Sequence, residues 1–407
     1  MSSLNNTFAA GPGHKCQENQ EYLQSQLVTY IGNKRALLDF IGQGVGLVQE
    51  SLGKEKLSCF DGFAGSGVVG RYLKQYSSYL AVNDLELYSQ IINRCYLSNK
   101  SDLNISLLQK YYEEVCQAVN SQVQKLQEDE AQKAPGFITD FYSPANEKAI
   151  QKSDRCFYTK YNANYIDLCR QNIEKLVPPE YRDFFIAPLL SEASIHANTA
   201  GIFKGFYKNR DTGLGQFGGK AQNALSRILG KIALPFPVFS DFNCQSKIFS
   251  SDTNELVKSE ELYESDLLGD EHTFDLAYFD PPYNQHPYGS NYFMLNLIAS
   301  YNSPDPENIS RVSGIPRNWN RSLYNKKKQV MPVFQELIKN VRAKFVLISF
   351  NSEGFIQKDE MIQMLSECGQ VQVLESDYNT FRGSRNLKAR EIHVKEYLFL
   401  LDKRSKI

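Results

Sequence analysis

No stretch of this 407-residue chain holds the run of about 18 apolar side chains that a bilayer-spanning helix needs, so no membrane span is expected. The opening Met1-Ser2-Ser3-Leu4-Asn5-Asn6 lacks the basic and apolar regions of a signal peptide, which points to the cytoplasm. The eight cysteines (16, 59, 95, 116, 156, 169, 244 and 368) include no C-x-x-C pair and have no histidine at ligand spacing. That scatter argues against a disulfide framework and a structural zinc site, and no metal is expected. An excess of charge is also missing: 45 Lys and Arg stand against 46 Asp and Glu, so bulk charge does not advertise a polyanionic partner. There is no internal repeat and no low-complexity tail. What is left is an ordinary globular composition, long enough for two or three domains and a large α/β core.

Charge is segregated along the chain. From Arg311 to Lys344 there are nine Lys and Arg against the single acid Glu336, and Arg382 to Lys406 is also net basic. Asp252 to Asp275 carries nine acids against Lys258. Such separation suits a molecule with one face for an anionic polymer, although any single charge run is as readily a solvated surface.

Leu57-Ser58-Cys59-Phe60-Asp61 reads as a buried strand, followed by the Gly-rich turn Gly62 to Gly67 and a helix to about Tyr76. Tyr79 to Asn83 reads as a second strand ending at Asp84, with a helix to about Asn99 behind it. This βαβ start predicts a doubly wound parallel sheet. A long amphipathic helix is predicted from Leu103 to about Lys125. Between Ala134 and Asn243 aromatic, Asn and Gly residues dominate and strand-helix alternation is lost, which predicts an inserted module with long loops. The α/β pattern resumes at Lys247 to Asp252, then Phe274 to Phe279, Phe345 to Ser349, Val371 to Leu374 and a closing strand at Val394 to Leu401. The expected domains are therefore 20–133 and 244–407 as two parts of one catalytic unit, with 134–243 inserted between them.

Asp280-Pro281-Pro282-Tyr283 stands at the end of the fourth of these strands. A carboxylate at a strand end, a rigid Pro-Pro turn and an aromatic face describe a clamp for a planar amine. Asp280 and the Pro281 carbonyl can accept its two N–H groups, and Tyr283 can stack on its ring. Two acceptors on an exocyclic amine localise its lone pair and keep the nitrogen nucleophilic, as base methylation requires. By itself the tetrapeptide is equally well an exposed proline turn.

Gly65-Ser66-Gly67-Val68-Val69-Gly70 matches G-x-G-x-x-G between a strand and a helix, with Asp84 about 20 residues on to meet a ribose diol. Alone, this fits a dinucleotide site as well as any other nucleoside. Asp61 separates the two: beside the Gly turn it would repel a pyrophosphate but suits the ammonium of an amino acid. S-adenosylmethionine has that ammonium and no phosphate. Asp252, at a third strand end, could accept the N6 protons of the cofactor's adenine, or equally serve as a helix cap.

Tyr30-Ile31-Gly32-Asn33-Lys34-Arg35, then Asp61-x-Phe63-x-Gly65-x-Gly67, Asp84, Ser251-Asp252 and Asp280-Pro281-Pro282-Tyr283, occur in the order found in one family. Over residues 27 to 401 the chain resembles the Dam-like, alpha-group N6-adenine DNA methyltransferases of restriction-modification systems and phages. The resemblance implies a Rossmann-like sheet of seven strands, the last antiparallel, with an inserted target-recognition domain where the composition breaks. It implies that Tyr30 and Lys34 help hold S-adenosylmethionine, Asp61 binds its amine, Phe63, Gly65 and Gly67 form the floor, Asp84 binds the ribose and Asp252 the adenine. Because the second motif reads Asn83-Asp84-Leu85-Glu86, Glu86 is a fallback for the ribose. Asp280, Pro281, Pro282 and Tyr283 are the implied catalytic clamp.

The expected reaction is methyl transfer to N6 of an adenine flipped out of double-stranded DNA, with a cognate restriction endonuclease acting separately. Candidate DNA contacts are Lys204, Lys208 and Arg210 in the inserted module, with Gln216 able to read an adenine edge. His286, Tyr288 and Asn291 after the clamp form a polar and aromatic loop that closes over the base or fills its gap. Arg382 and Arg385 flank a Gly in what is either a phosphate grip or a hairpin turn. Rival readings are cytosine-N4 or RNA methylation, a nicotinamide-dependent oxidoreductase resting on the glycine motif alone, and a DNA-binding module without activity.

Overall fold

The computed structural model of the chain describes residues 18–25, 27–128, 133–220, 224–282, 285–379 and 393–404. Each apolar run becomes a strand: β1 (Leu57–Asp61), β2 (Ser77–Asn83), β3 (Gln245–Phe249), β4 (Phe274–Phe279), β5 (Ala343–Asn351), β6 (Gln370–Asn379) and β7 (His393–Asp402). They form one seven-stranded sheet in the order β3-β2-β1-β4-β5-β7-β6. β1 to β5 are parallel, and β7 runs antiparallel to β5 and β6. The Rossmann-like sheet with its antiparallel last strand is as the family resemblance implies.

Helix α1 (Gln20–Gln24) and helix α2 (Leu38–Leu52) precede the sheet, α3 (Val68–Lys74) follows β1, and α4 (Leu87–Leu97) follows β2. The long predicted helix is α5 (Ile105–Glu128). Then come α6 (Phe137–Tyr142), α7 (Lys160–Leu176), α8 (Asp183–Ile195) and α9 (Leu225–Leu229), before α10 (Thr253–Leu256). The set closes with α11 (Tyr288–Asn291), α12 (Phe293–Ser300), α13 (Val330–Asn340) and α14 (Lys358–Ser366). Strand alternation sends Cys59, Leu80, Tyr278 and Leu347 into the layer of α2 and α3. Their neighbours Phe60, Ala81, Ala277 and Ile348 face α10, α13 and α14. Covered on both faces, β1 and β4 are buried throughout, which is why they read as continuous apolar runs.

The stretch 134–243 departs from the loop-rich expectation, because α6 to α9 lie in it. Two of those helices hide from periodicity for opposite reasons. α8 buries Phe184, Phe185, Ile186, Leu189 and Leu190, apolar almost all round. α7 buries Asn162, Asn164, Asp167, Arg170 and Asn172 along with its apolar residues, so polar side chains stand at core positions. Most of their polar atoms are paired, Arg170 Nη1 excepted: Asn162 Nδ2 donates to the Gly230 carbonyl at 2.9 Å, and Asp167 accepts the Thr139 hydroxyl at 2.7 Å. Arg170 Nε donates to the Ile298 carbonyl at 2.8 Å, tying α7 to the end of α12.

Part of the charge segregation is an ion-pair network within the fold. Arg342 pairs with Glu260, Lys344 with Glu271 and Asp275, and Lys258 with Glu336. Three of the nine acids of the acidic run, Glu260, Glu271 and Asp275, are thus matched by Arg342 and Lys344 at the far end of the basic run, a correction to reading both as free faces.

Candidate active site at the switch point of the sheet

The parallel strands end at one edge of the sheet, and the strand order reverses between β1 and β4. A crevice forms at such a reversal because the chain leaves neighbouring strand ends toward opposite faces. Asp61 ends β1 in register with Tyr278, two residues before Asp280. Register therefore brings these two acids to one place. A cleft of about 920 Å³ opens there, walled by Tyr30, Lys34, Asp61, Phe63, Gly65, Asp84, Glu86, Asp252, Asp280 and Pro282 among others.

Asp61 is buried. One of its oxygens accepts the Phe63 N–H at 3.3 Å, and Oδ2 has no hydrogen-bond partner among the described residues. Burial pushes its carboxyl up to about 8, the Phe63 N–H opposes the rise, and the charges of Asp280 and Asp84 add to it. An unpartnered buried carboxylate oxygen is costly until a cation meets it. The ammonium of an amino-acid moiety fits that need.

Gly65 has φ +53°, and a Cβ there would lie 2.9 Å from the Tyr30 ring. Gly67 has φ +74° but is not on the cleft wall; a Cβ there would meet Asn93 Oδ1 at 2.8 Å. Gly67 therefore shapes the entry into α3, where it had been expected on the floor of the site. Phe63 lies edge-on to Phe279 and Tyr324. Asp84 accepts the Gly65 N–H at 2.7 Å and the Glu86 N–H at 2.9 Å, binding the glycine turn to the end of β2. Burial raises its carboxyl to about 6 and that of Glu86 to about 7. Glu86 accepts hydrogen bonds from Asn296 and Asn320. Asp252 caps α10 through Oδ1, accepting the Asn254 N–H at 2.9 Å, and also lines the cleft.

Lys34 Nζ stands 3.2 Å from Asp280 Oδ1, with Lys34 4% exposed. Burial raises the Asp280 carboxyl, and the Lys34 ammonium opposes that rise. The lysine expected at the cofactor is therefore the counter-ion of Asp280. Pro282 lines the cleft and Pro281 is buried. Tyr283, Arg382 and Arg385 lie outside the described residues.

Tyr30 stacks on Tyr292 at 4.7 Å and on Tyr288 at 5.0 Å. The Tyr292 hydroxyl accepts the Ile31 N–H at 2.7 Å, and the Tyr288 hydroxyl donates to the Ile31 carbonyl at 3.2 Å. Tyr288 is thus a pillar of the cleft wall, where it had been expected on DNA. Asn291 is fully buried in α11 and presents no face to a duplex. The loop expected after the clamp is in part this helical turn.

Lys204, Lys208 and Arg210 are exposed. The loop between Tyr207 and Gln216 is pinned at its base, where buried Asn198 donates to the Cys156 and Gln216 carbonyls at 2.7 and 2.8 Å. The Gln216 side chain donates to the Gly218 carbonyl at 3.0 Å. His286 is exposed, and its imidazole is held below the usual range first by partial burial and then by the Lys204 charge. Asn320, Ser322, Tyr324 and Asn325 complete the cleft wall and were not anticipated. Tyr324 is buried and donates to Asn254 Oδ1 at 2.7 Å. The only signal for this segment was the basic run around it. Among the described residues no cluster of His, Cys, Asp and Glu could hold a metal ion, and no helix is long and apolar enough to cross a membrane.

A family model described as D12 class N6 adenine-specific DNA methyltransferase matches residues 30–229 and 241–364. The type II methyltransferase M.NlaIII of Neisseria lactamica is 29% identical over 386 residues, covering 92% of this chain and 99% of its own length. M.CviAII of Paramecium bursaria Chlorella virus 1 is 28% identical over 387 residues, 92% of this chain and 98% of that protein. M.FokI of Planomicrobium okeanokoites is 27% identical over 384 residues, 92% of this chain but 52% of that protein.

Proposed function

The chain belongs to the D12 class of N6 adenine-specific DNA methyltransferases, and we propose that its cleft brings S-adenosylmethionine and a flipped target adenine together between Asp61 and Asp280. It is a site-specific adenine DNA methyltransferase of the restriction-modification type. The observation that carries the residue assignment is the convergence of these two acids on one cleft, Asp61 with an unpartnered buried oxygen and Asp280 with a lysine counter-ion.

S-adenosylmethionine supplies a methyl group already activated as a sulfonium, so the protein's task is positioning. Asp61 would take the ammonium, Asp84 with Glu86 the ribose hydroxyls, and Asp252 the adenine amine, with Phe63, Gly65, Tyr30 and Lys34 around them. Asp280 would accept one N–H of the target amine and the Pro281 carbonyl the other, with Pro282 and Tyr283 framing the base. Lys34 opposes the rise that burial imposes on Asp280, favouring the carboxylate form that can accept the amine N–H and take the proton the amine sheds. Stacked B-form DNA cannot present N6 to so enclosed a cleft, which is why the base must leave the helix. Exposed Lys204, Lys208 and Arg210 would contact the duplex, as would Arg382 and Arg385, and the recognition module would be 134–243, set between catalytic parts 20–133 and 244–407. A restriction endonuclease acting separately, in the cytoplasm with the enzyme, is the partner this reading implies.

Asp280→Ala is expected to lower methyl transfer to DNA by roughly 10²-fold or more while S-adenosylmethionine still binds. Near wild-type transfer by that variant would remove Asp280 from the clamp.

A further inference from the structure

The basic run that begins at Arg311 divides in two in the folded chain. Its far end, Lys339, Arg342 and Lys344, is neutralised by Glu367, Glu260, Glu271 and Asp275. Its near end is not. Arg317, Arg321, Lys326, Lys327 and Lys328 are exposed, and none forms an ion pair with a described residue. Four residues of the same segment, Asn320, Ser322, Tyr324 and Asn325, wall the cleft. The unpaired cations therefore sit on the lip of the site rather than on a remote face.

Two further features separate this lip from an ordinary solvated surface. Trp319, the chain's single tryptophan, lies under the Arg321 guanidinium at 4.5 Å, which holds that fork in place. Leu323, 44% exposed, is one of four exposed large hydrophobic side chains among the described residues and lies in sequence between the wall residues Ser322 and Tyr324. Asn325 Nδ2 reaches the His286 carbonyl at 3.4 Å, joining the lip to the segment after Asp280. The segment is also anchored: Tyr324 is buried, edge-on to Phe63, and hydrogen-bonded to Asn254.

We propose that residues 317–328 form a phosphate-gripping lip that holds the DNA backbone beside the extruded adenine, with Arg321 and Lys326 to Lys328 meeting the phosphates. The proposal rests on the adenine-methylating reading of the cleft. A rigid cationic lip fixed to the cleft wall sets the distance between backbone and clamp. A row of cations along a duplex would also give a strong salt dependence, because each phosphate neutralised releases counterions. Leu323 sits where an apolar side chain could enter the space the base vacates.

The test compares two charge-matched triple variants in the full chain, binding an unmodified duplex over a salt series. Lys326→Gln with Lys327→Gln and Lys328→Gln should flatten the dependence of log affinity on log salt by roughly 2 to 3, about 1 for each phosphate no longer neutralised. Lys339→Gln with Arg342→Gln and Lys344→Gln, the paired cations, should leave the slope near wild type. The lip variant should weaken specific and non-specific duplexes alike and bind S-adenosylmethionine as wild type does. An unchanged slope in the lip variant, or an equal change in both, overturns the proposal. Wild-type protein that transfers no methyl group to DNA would overturn the functional reading instead, and the two failures are distinct.

Discussion

Asp61 shows how a single residue links sequence to chemistry. Its position after an apolar run made it a strand end, and its sign excluded a pyrophosphate. Its burial, with Oδ2 unpartnered, came only from the fold. The consequence is measurable. A carboxyl raised by burial to about 8 binds a proton in the folded state at pH values where the unfolded chain, titrating near ~4, does not. Stability of the ligand-free protein therefore falls as pH rises from about 4 through about 8, and Asp84 and Glu86, raised to about 6 and about 7, act in the same sense. A ligand ammonium reverses the preference of Asp61, so binding S-adenosylmethionine should release a proton at pH 7. Calorimetry in buffers of differing ionisation enthalpy should show that release, and Asp61→Asn should abolish it; a buffer-independent enthalpy in wild type would contradict the assignment. Lys34 carries the opposite lesson. Its motif suggested a cofactor contact, and its ion pair with Asp280 joins segments no local pattern connects.

At the scale of elements, strands were legible and several helices were not. β1 and β4 are buried on both faces, so apolar run length alone marked them. α7 and α8 escaped because one buries polar residues and the other is apolar nearly all round. Helix α11 escaped because Tyr288 and Asn291 look like loop chemistry until the ring stack and the burial are seen. The buried polar residues of α7 make a prediction. Arg170, 2% exposed, donates to the Ile298 carbonyl at 2.8 Å and the Ala299 carbonyl at 3.3 Å, closing the C-terminal turn of α12. Arg170→Met leaves those carbonyls without a donor and should cost about 2 to 4 kcal/mol in a denaturant titration. A change below about 0.5 kcal/mol would mean that water or the neighbouring turn replaces the guanidinium.

For the whole molecule, the inserted stretch shares packing with helices outside it. α7 lies on α5, α8 on α4, and α12 on both α4 and α8, and one apolar cluster runs from Tyr22 through Phe239 to Ala299. Calorimetric unfolding should therefore give one cooperative transition; two separated transitions would show the stretch 134–243 melting by itself. The sequence by itself determined the order of strands and motifs, the acids at strand ends and the family, because strand burial and turn chemistry are local. Tertiary structure alone decided that Lys34 faces Asp280, that acids of the acidic run pair with Arg342 and Lys344, and that Asn320, Ser322, Tyr324 and Asn325 wall the cleft. Those outcomes depend on contacts between distant segments, which strand register and helix packing create and which composition and spacing do not encode.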